Sequence, residues 1–358
     1  MIDTVERPPA ASRSQPRLPA WTLRPAAPPG WLDRLVGCHG GFFHTNAGLL
    51  RNRDGAPFFA EFGSGGIAIA LAAGVWTRCR LSPRRRHVYL PTYPALADPG
   101  RRDAAFGALV RVLREAGAAD LMLDSFAAST PAPNDPPGTG RSEQIDRLEY
   151  VVELDRDEVV TGAAFSEHHR RHLKRAERCG WRLHLSTGDE GSALLAAVQT
   201  LAAARAARRG DPFAVPTTPW TAVGHGWPAQ WGEQVFAVYD GSTPLSAALV
   251  GWANRRAYSL SAGSTADGYA LTSSAWLHWR IMRHFAAAGF TSYNLGGAPE
   301  EAQDPQSPAH GLHRFKMGFA PDVVRCRTIR WVLRPAHEYA HAAARRAKRW
   351  LTHEEATG

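Results

Sequence analysis

Two stretches of this sequence share one order of secondary-structure elements, and this repeat constrains the fold more than any other feature. Residues 57–126 and 233–295 each predict three strands, a helix and a further strand. In both stretches the helix ends at a glycine directly before the last strand, in REAG-AADLML and AAAG-FTSYNL. A helix that ends in glycine before a strand is common, so chance is the alternative. We interpret the repeat as the duplication of one α/β module.

The order of elements within the repeat predicts the fold class. Three antiparallel strands, a helix and a further strand form the core of the GNAT acyltransferase fold. By this analogy we predict an α/β (α+β) protein of two tandem GNAT-like modules, with mixed, mostly antiparallel sheets flanked by helices. A fold does not fix a function, so the function has to be argued from particular side chains.

The repeat also predicts how the chain divides into domains. With 358 residues, of which 44% are hydrophobic, the chain is long enough for two cores. Residues 127–142 are rich in Pro, Gly and small polar residues, which predicts a linker. We predict a flexible tail over residues 1–29, a first GNAT-like domain over 30–126 and the linker over 127–142. A second GNAT-like domain is predicted over 143–335, followed by a basic C-terminal helix over 336–358.

The composition indicates an anionic partner and a reducing compartment. The net charge is +9 and the pI about 9.8, which favours nucleic acid, a nucleotide or a membrane surface as a partner. A GC-rich genome that uses many arginine codons is the alternative. The four cysteines are far apart, so we expect neither a metal site nor disulfides. With no signal peptide and no membrane helix in the sequence, we expect a cytoplasmic monomer without membrane insertion.

A helix predicted over residues 156–179 carries a ladder of positive charge. The cations of this ladder are Arg170, Arg171, Lys174, Arg175 and Arg178. Spacings of three and four residues place like charges close together, and RNA phosphates would relieve their repulsion. The alternative is a solvated surface helix. A basic helix over residues 336–351 has a similar pattern, for which the solvated face is the favoured interpretation.

One lysine lies between two phenylalanines in the stretch HGLHRFKMGF. Lys316 lies between Phe315 and Phe319 in the sequence, and a positive charge beside apolar surface needs a negative partner. The partner could be a carboxylate, a phosphate or an oxyanion formed during a reaction. Three acidic residues are candidates for an ion pair: Glu300, Glu301 and Asp304. The residues around Lys316, 314–319, follow a Gly/Pro-rich loop and precede a predicted strand.

Three stretches of the second half resemble the FemABX family of aminoacyl-tRNA-dependent transferases, which are built from two GNAT-like domains. They are the basic helix at 164–181, the strand with a Gly-Gly turn at 289–297, and GLHRFKMGF at 311–319. Order and spacing fit along residues 145–335, and the first half matches only in outline. The third stretch, similar to a G-x-x-x-F-K-x-x-F signature, is the most specific.

The resemblance implies roles for particular residues. Lys316, with Phe315, is implied to be catalytic, because a fixed cation stabilises the oxyanion formed when an amine attacks an aminoacyl ester. The basic ladder and Arg314 are implied to contact tRNA. Four residues are candidates for the acceptor site or its pocket: Asn294, Trp231, His313 and Phe319. In the first domain, which is implied to bind the acceptor, the candidates are Arg84, Arg85, Arg86, Tyr89 and Tyr93.

The sequence departs from the family pattern at two places. Asn294 stands where many relatives have Asp, and an amide cannot act as a base. The helix predicted over 190–209 is too short for the long helical arm of some relatives. In addition, residues 262–274 lack the Q/R-x-x-G-x-G/A spacing with which GNAT enzymes bind the pyrophosphate of CoA.

The resemblance therefore predicts an enzyme that moves an aminoacyl group from aminoacyl-tRNA to an amine and needs no cofactor or metal. The acceptor would be a nucleotide-linked peptidoglycan precursor or a small specialised metabolite. Two alternatives remain open, an acyl-CoA-dependent N-acyltransferase and a non-catalytic RNA-binding protein. The loop predicted over 210–232, with Arg205, Arg208, Arg209 and three tryptophans, would border the acceptor pocket or form a small satellite core.

Overall fold

The computed structural model describes residues 20–45, 55–64, 67–79, 82–126, 134–155, 157–208 and 231–334. Among the described residues, the first half contains six strands and two α-helices: β1 (Ala20–Arg24), α1 (Trp31–Gly37), β2 (Ala56–Ser64), β3 (Ile67–Cys79), β4 (Ser82–Leu90), β5 (Ala95–Leu96), α2 (Arg102–Glu115) and β6 (Ala118–Asp124). Phe106, Leu109 and Leu113 form a buried apolar stripe on α2.

In the part of the second half that the structure describes, there are seven strands and six α-helices. They are β7 (Gly140–Glu153), α3 (Glu158–Ala163), α4 (Glu167–Ala176), β8 (Arg182–Ser186), α5 (Gly188–Arg208), β9 (Trp231–Asp240), β10 (Thr243–Ala253), β11 (Arg256–Ser264), α6 (Ala266–Ala270), α7 (Ser273–Ala287), β12 (Ser292–Pro299), α8 (His310–Met317) and β13 (Asp322–Val332). Within the described ranges, no helix has the length and apolar character needed to cross a membrane.

The described strands form one sheet in the order β1-β2-β3-β4-β6-β13-β7-β12-β11-β10-β9-β8, with β5 paired to β3. Neighbours are antiparallel except for β4–β6 and β11–β12, and each parallel pair is joined by a helix, α2 or α7. Three antiparallel strands, a helix and a parallel strand therefore occur twice, as predicted. The register agrees with the repeat, since Tyr89 pairs with Met122 and Tyr258 with Asn294 at matching positions of the two modules.

The two modules exchange their last strands. β7 follows β6 in the chain but pairs with β12, whereas β13 follows β12 in the chain but pairs with β6. β7 and β13 also pair with each other, from Asp322↔Val151 to Val332↔Gly140. The modules consequently share one continuous sheet rather than forming two, and the predicted domain limits remain a prediction.

Helices cover both faces of the sheet. On one face of the second module, α4 and α7 pack on β7, β9, β10 and β12 through a core that includes Tyr150, Phe236 and Phe319. On the other face, Leu195 of α5 packs on Val235 and neighbouring residues of β9 and β10. In the first module, α2 packs on a core that also contains Trp331 of β13, so the exchanged strand is part of the first core.

Two predicted elements differ from the structure. The helix predicted over 156–179 is two helices, because Ser166 Oγ accepts the N–H of His169 at 3.3 Å and starts a new helix. The predicted linker at 127–142 overlaps β7, which begins at Gly140, while residues 127–133 lie outside the described part.

Candidate functional site

Strands β11 and β12 separate halfway along their length, and the candidate site lies where they part. They pair only from Arg256↔Ser292 to Tyr258↔Asn294, although β11 continues to Ser264 and β12 to Pro299. Beyond the last pair, each strand presents backbone groups that its parallel neighbour does not bind. A parting of paired strands gives a substrate access to backbone donors and acceptors inside the sheet.

A bulge in β12 forms one wall of this opening. The register with β7 shifts between Asn294 and Gly297. Asn294 Oδ1 accepts the N–H of Gly296 at 2.8 Å, and Gly296 has φ +78°, a conformation that favours glycine. A Cβ on Gly296 would lie 2.9 Å from the carbonyl oxygen of Ser259 on β11. The predicted Gly-Gly turn is therefore a bulge, after which the strand continues.

Helix α8 places the ammonium of Lys316 on this bulge. Lys316 Nζ donates a hydrogen bond to the carbonyl oxygen of Gly297 at 2.7 Å and lies 5.2 Å from the ring centroid of Tyr150. The side chain is 6% exposed, and burial lowers the pKa of Lys316 to about 7, while the negative charge of Glu149 raises it. Two of the three N–H bonds of the ammonium have no hydrogen-bond acceptor among the described residues.

The two phenylalanines of the predicted bracket, Phe315 and Phe319, contact each other at 5.4 Å between ring centroids. Both pack against His169 of α4. Of the three acids named as alternative partners of Lys316, Glu300 forms an ion pair with Arg325, 2.7 Å away.

Glu149 forms a buried polar cluster beside the bulge. Tyr258 Oη donates to Glu149 Oε1 at 2.7 Å, and Asn294 Nδ2 donates to Oε2 at 2.8 Å. Arg147 links this carboxylate to the first module, because its two terminal nitrogens lie 3.6 Å from Glu149 and 3.5 Å from Asp124. Asp124 accepts a hydrogen bond from Tyr89 Oη at 2.6 Å. The site therefore borders the junction of the two modules.

Two further hydrogen-bonded pairs lie next to Lys316. Tyr150 Oη and His313 Nδ1 are 2.8 Å apart, and burial raises the pKa of Tyr150 to about 12. His278 Nδ1 and Tyr293 Oη are also 2.8 Å apart, and burial, with the nearby Lys316 charge, lowers the pKa of His278 to about 3. His278 is consequently neutral at physiological pH and adds no positive charge beside the ammonium.

The predicted cation ladder lies on the outer face of α4. Arg170, Arg171, Lys174 and Arg175 are exposed on the helix, and Arg178 is exposed in the turn that follows it. The opposite face of α4 is buried through His169, Leu173 and Ala176. The five cations are thus free of core packing and available to a large anionic partner. Arg314 is also exposed.

The remaining predicted residues have different positions. Trp231 begins β9 and is buried in a cluster with Trp31, Phe43 and Tyr258, so it packs the junction of the modules. Tyr93 is buried, and the guanidinium of Arg86 lies 4.7 Å from the ring of Trp76. Outside the described side chains lie Arg84, Arg85, Arg205, Arg208, Arg209, the rest of the loop over 210–232 and the helix predicted over 336–351.

In residues 262–274, where a GNAT enzyme would carry its CoA loop, Gly268 and Ser273 are buried in close contacts. Ser246 Oγ lies 2.8 Å from Ser264 Oγ and 2.6 Å from Ser273 Oγ at the start of α7. A Cβ on Gly268 would lie 1.9 Å from the carbonyl oxygen of Leu245. Thr272 precedes α7 with φ +57°, and its side chain bonds to His172 at 2.9 Å instead of capping the helix.

The sequence did not indicate Glu149, Tyr150, Tyr258 or His278 as residues of the site. Glu149 carried one weak signal, since it is one of two acids, with Glu153, among the mostly apolar residues of RLEYVVEL. Its partners are distant in sequence, because Tyr258 is 109 residues away and Asn294 is 145 residues away. Pairing over such distances is set by tertiary structure and not by local pattern.

We expect Gly318→Ala to destabilise the protein. An added Cβ would lie 2.1 Å from Cε1 of His169, so the ring that packs α4 against α8 would have to move, at a cost of about 1–3 kcal/mol. Gly311→Ala, in the same helix, is the matched control, because its Cβ would meet no atom within 4 Å. Urea unfolding measures both free energies, and equal values for the two variants would contradict the packing argument.

We expect Lys316→Met to stabilise the protein in a pH-dependent way. The pKa of Lys316 is about 7 in the folded state and 10.5 in the reference state, so the unfolded chain binds more protons between these values. The free energy of unfolding of the wild type therefore rises with pH in this window, and the buried charge costs on the order of 4 kcal/mol at the acidic end.

The free energies of unfolding of the two proteins are measured with urea at about pH 6.5 and about pH 9.5, so that the two measurements span most of the range between the folded and reference pKa values of Lys316. The free energy of unfolding of Lys316→Met should exceed that of the wild type most at the lower pH, and this difference should shrink at the higher pH. Lys174→Met is the control, because that lysine is exposed on α4. A difference that does not change with pH would contradict the buried-charge account.

Comparisons with known proteins agree with this architecture. A family model described as an acetyltransferase (GNAT) domain matches residues 163–304. The structure is similar to that of FemX, with a TM-score of 0.59 and 13% identity, over 83% of this chain and 94% of that chain. No curated protein matches the sequence.

Two other solved structures are similar. One is the C-terminal domain of an inferred lysylphosphatidylglycerol synthetase from Agrobacterium fabrum, with a TM-score of 0.50 and 17% identity over 83% of this chain and 90% of that chain. The other is a conserved protein of unknown function from Bacteroides thetaiotaomicron, with a TM-score of 0.53 and 10% identity over 84% and 92%. Residues 163–304 therefore match an acetyltransferase (GNAT) domain, and the described residues have a tandem GNAT-like fold similar to that of FemX.

Proposed function

We propose that this protein transfers an aminoacyl group from aminoacyl-tRNA to an amine and forms an amide bond. The observation that carries the proposal is the ammonium of Lys316 on the β12 bulge, at the parting of β11 and β12. Its two unused N–H donors are available to a reacting carbonyl oxygen. The likeness to FemX and the exposed cations of α4 support tRNA as the donor.

The reaction needs only proton transfer and charge stabilisation. The acceptor nitrogen attacks the ester carbonyl carbon, a C–N bond forms, and the carbonyl oxygen becomes an oxyanion. When this intermediate collapses, the C–O bond to the terminal ribose of the tRNA breaks, and the ribose oxygen receives the proton that the amine loses. The ammonium of Lys316 would stabilise the oxyanion, an effect of about 3–4 kcal/mol for one such donor in other enzymes.

The acceptor amine needs little help to lose its first proton. An α-amine has a pKa of about 8, so a useful fraction is neutral at physiological pH. Asn294 cannot act as a base, and its amide is engaged by Glu149. We propose that the acceptor is a peptidoglycan precursor or a specialised metabolite, bound on the side of the first module that meets the site through Arg147 and Asp124.

The test is a transfer assay with a pool of radiolabelled aminoacyl-tRNAs and a panel of candidate amines. We expect label to move into an amide product, and we expect prior RNase treatment to abolish the transfer. Product that forms equally with and without RNase would reject tRNA as the donor.

One observation favours a second candidate, an acyl-CoA-dependent N-acyltransferase. The family model that matches residues 163–304 describes acetyltransferases. The packed serines at the start of α7 and the close contact of Gly268 with Leu245 weigh against a CoA loop there. Calorimetric titration with acetyl-CoA distinguishes the candidates, because only the acyl-CoA enzyme should bind it tightly.

A further inference from the structure

Glu149 is a buried carboxylate beside the site that the proposed chemistry does not use directly. It is 1% exposed on β7 and accepts hydrogen bonds from Tyr258 of β11 and Asn294 of β12. Burial of a carboxylate is costly unless hydrogen bonds and a cation compensate for the lost water. Arg147 supplies the cation, 3.6 Å away. Three strands thus converge on this one charge.

The orientation of Asn294 is fixed by the backbone. Its Oδ1 accepts the N–H of Gly296, so its Nδ2 must face Glu149. This pair accommodates one acid and one amide. An amide at position 149 could keep its contact with Asn294 only by turning its Nε2 toward Tyr258, whose hydroxyl would then have to accept instead of donate, and two acids would bring like charges together.

The same bulge carries Lys316. Gly297, whose carbonyl accepts the ammonium, is the residue that pairs with Glu149 across β7 and β12. Glu149 and Tyr150 are successive residues of β7 and point to opposite faces of the sheet. Lys316 lies over Tyr150, so the carboxylate and the ammonium approach the bulge from its two sides. The charge of Glu149 raises the pKa of Lys316 against the effect of burial.

We propose that Glu149 is a positioning residue for Lys316: with Asn294 it fixes the β12 bulge on which the ammonium rests, and it places a negative charge on the other side of that bulge. Its catalytic consequence rests on the proposed function, but the structural claim does not. The titratable or charged groups that face this pair are Arg147 and Tyr150 on β7, Tyr258 on β11, His278 on α7, His313 on α8 and Cys326 on β13.

The lysine content of the chain makes a direct test practical. The sequence has three lysines, Lys174, Lys316 and Lys348. In full-length protein labelled with [13Cε]lysine, NMR would show three signals, and Lys316→Arg would assign one of them. The titration of that signal follows the charge of Nζ without any substrate.

Three proteins are compared, and they differ only at the acid–amide pair. In Glu149→Gln the charge is removed, and Lys316 should titrate about 1 pH unit or more below its wild-type value. The double variant Glu149→Gln/Asn294→Asp moves the acid to the other member of the pair and keeps one acid and one amide. There Lys316 should titrate at the wild-type pH. An unchanged titration in Glu149→Gln, or a lowered one in the double variant, overturns the proposal.

Two features keep the result decisive. If Glu149→Gln does not fold, the double variant alone decides, since it retains the pair and the charge. A transfer assay then separates this proposal from the function proposed above. With a titration lowered by 1 pH unit, Glu149→Gln should lose about tenfold activity at pH 8 and about twofold at pH 6, and the double variant should recover it. Titrations as expected without any aminoacyl transfer would reject the function and leave the role of Glu149 standing.

Discussion

Replacing Lys316 by Met should lower the turnover of aminoacyl transfer by about 100-fold or more and change tRNA affinity little. Methionine has a similar length but carries no charge, so the oxyanion would lose its cation, while the hydrogen bond to Gly297 would be lost as well. The tRNA contacts proposed on α4 would be intact. Single-turnover transfer measures the chemical step, and filter binding measures the affinity.

Lys316→Met also distinguishes a catalytic role of the lysine from a structural one. The turnover loss should appear although Lys316→Met is more stable than the wild type near neutral pH, because the buried charge is removed. An inactive but more stable protein is expected for a catalytic cation and not for a structural one. Wild-type turnover in Lys316→Met would remove the residue from the mechanism.

Replacing Arg170, Lys174 and Arg178 together by Gln should weaken tRNA binding by at least about tenfold at low salt and leave turnover at saturating tRNA nearly unchanged. These side chains are exposed, and their charges are proposed to meet RNA phosphates. Loss of three phosphate contacts should make the slope of log affinity against log salt shallower by roughly 2.

A triple variant in the first module serves as the matched control. Arg24, Arg101 and Arg111 are also exposed, and their replacement by Gln removes the same net charge. If affinity depends only on net charge, both triple variants will weaken binding equally, and the proposed RNA face on α4 would be wrong. If α4 carries the contacts, the control should bind tRNA nearly as the wild type does.

The local elements and the repeat could be predicted from the sequence, but the pairing between modules could not. Apolar spacing predicted α2 and α7, and glycine stops predicted the strands that follow them. The exchange of β7 and β13 left no local signal, because alternation determines which face of a strand is buried and not which strand is its neighbour.

The candidate site was predicted in part for the same reason. The sequence indicated Lys316 and Asn294, but it did not indicate the groups that surround the ammonium. Residues 310–317 form a helix, and from it Lys316 reaches Tyr150 on β7 and Gly297 on β12. Its environment is therefore set by Tyr150 and Glu149, more than 160 residues earlier in the chain.

The most direct test of the account compares two adenosine ligands that mimic the aminoacylated end of tRNA. One carries a tetrahedral, anionic aminophosphonate in place of the ester, and the other carries a planar, neutral amide. We predict that Lys316→Met weakens binding of the phosphonate by about 100-fold at pH 6 and leaves binding of the amide within about threefold of the wild type. Equal losses for the two ligands, or no loss for either, would contradict a role for this ammonium in stabilising the oxyanion.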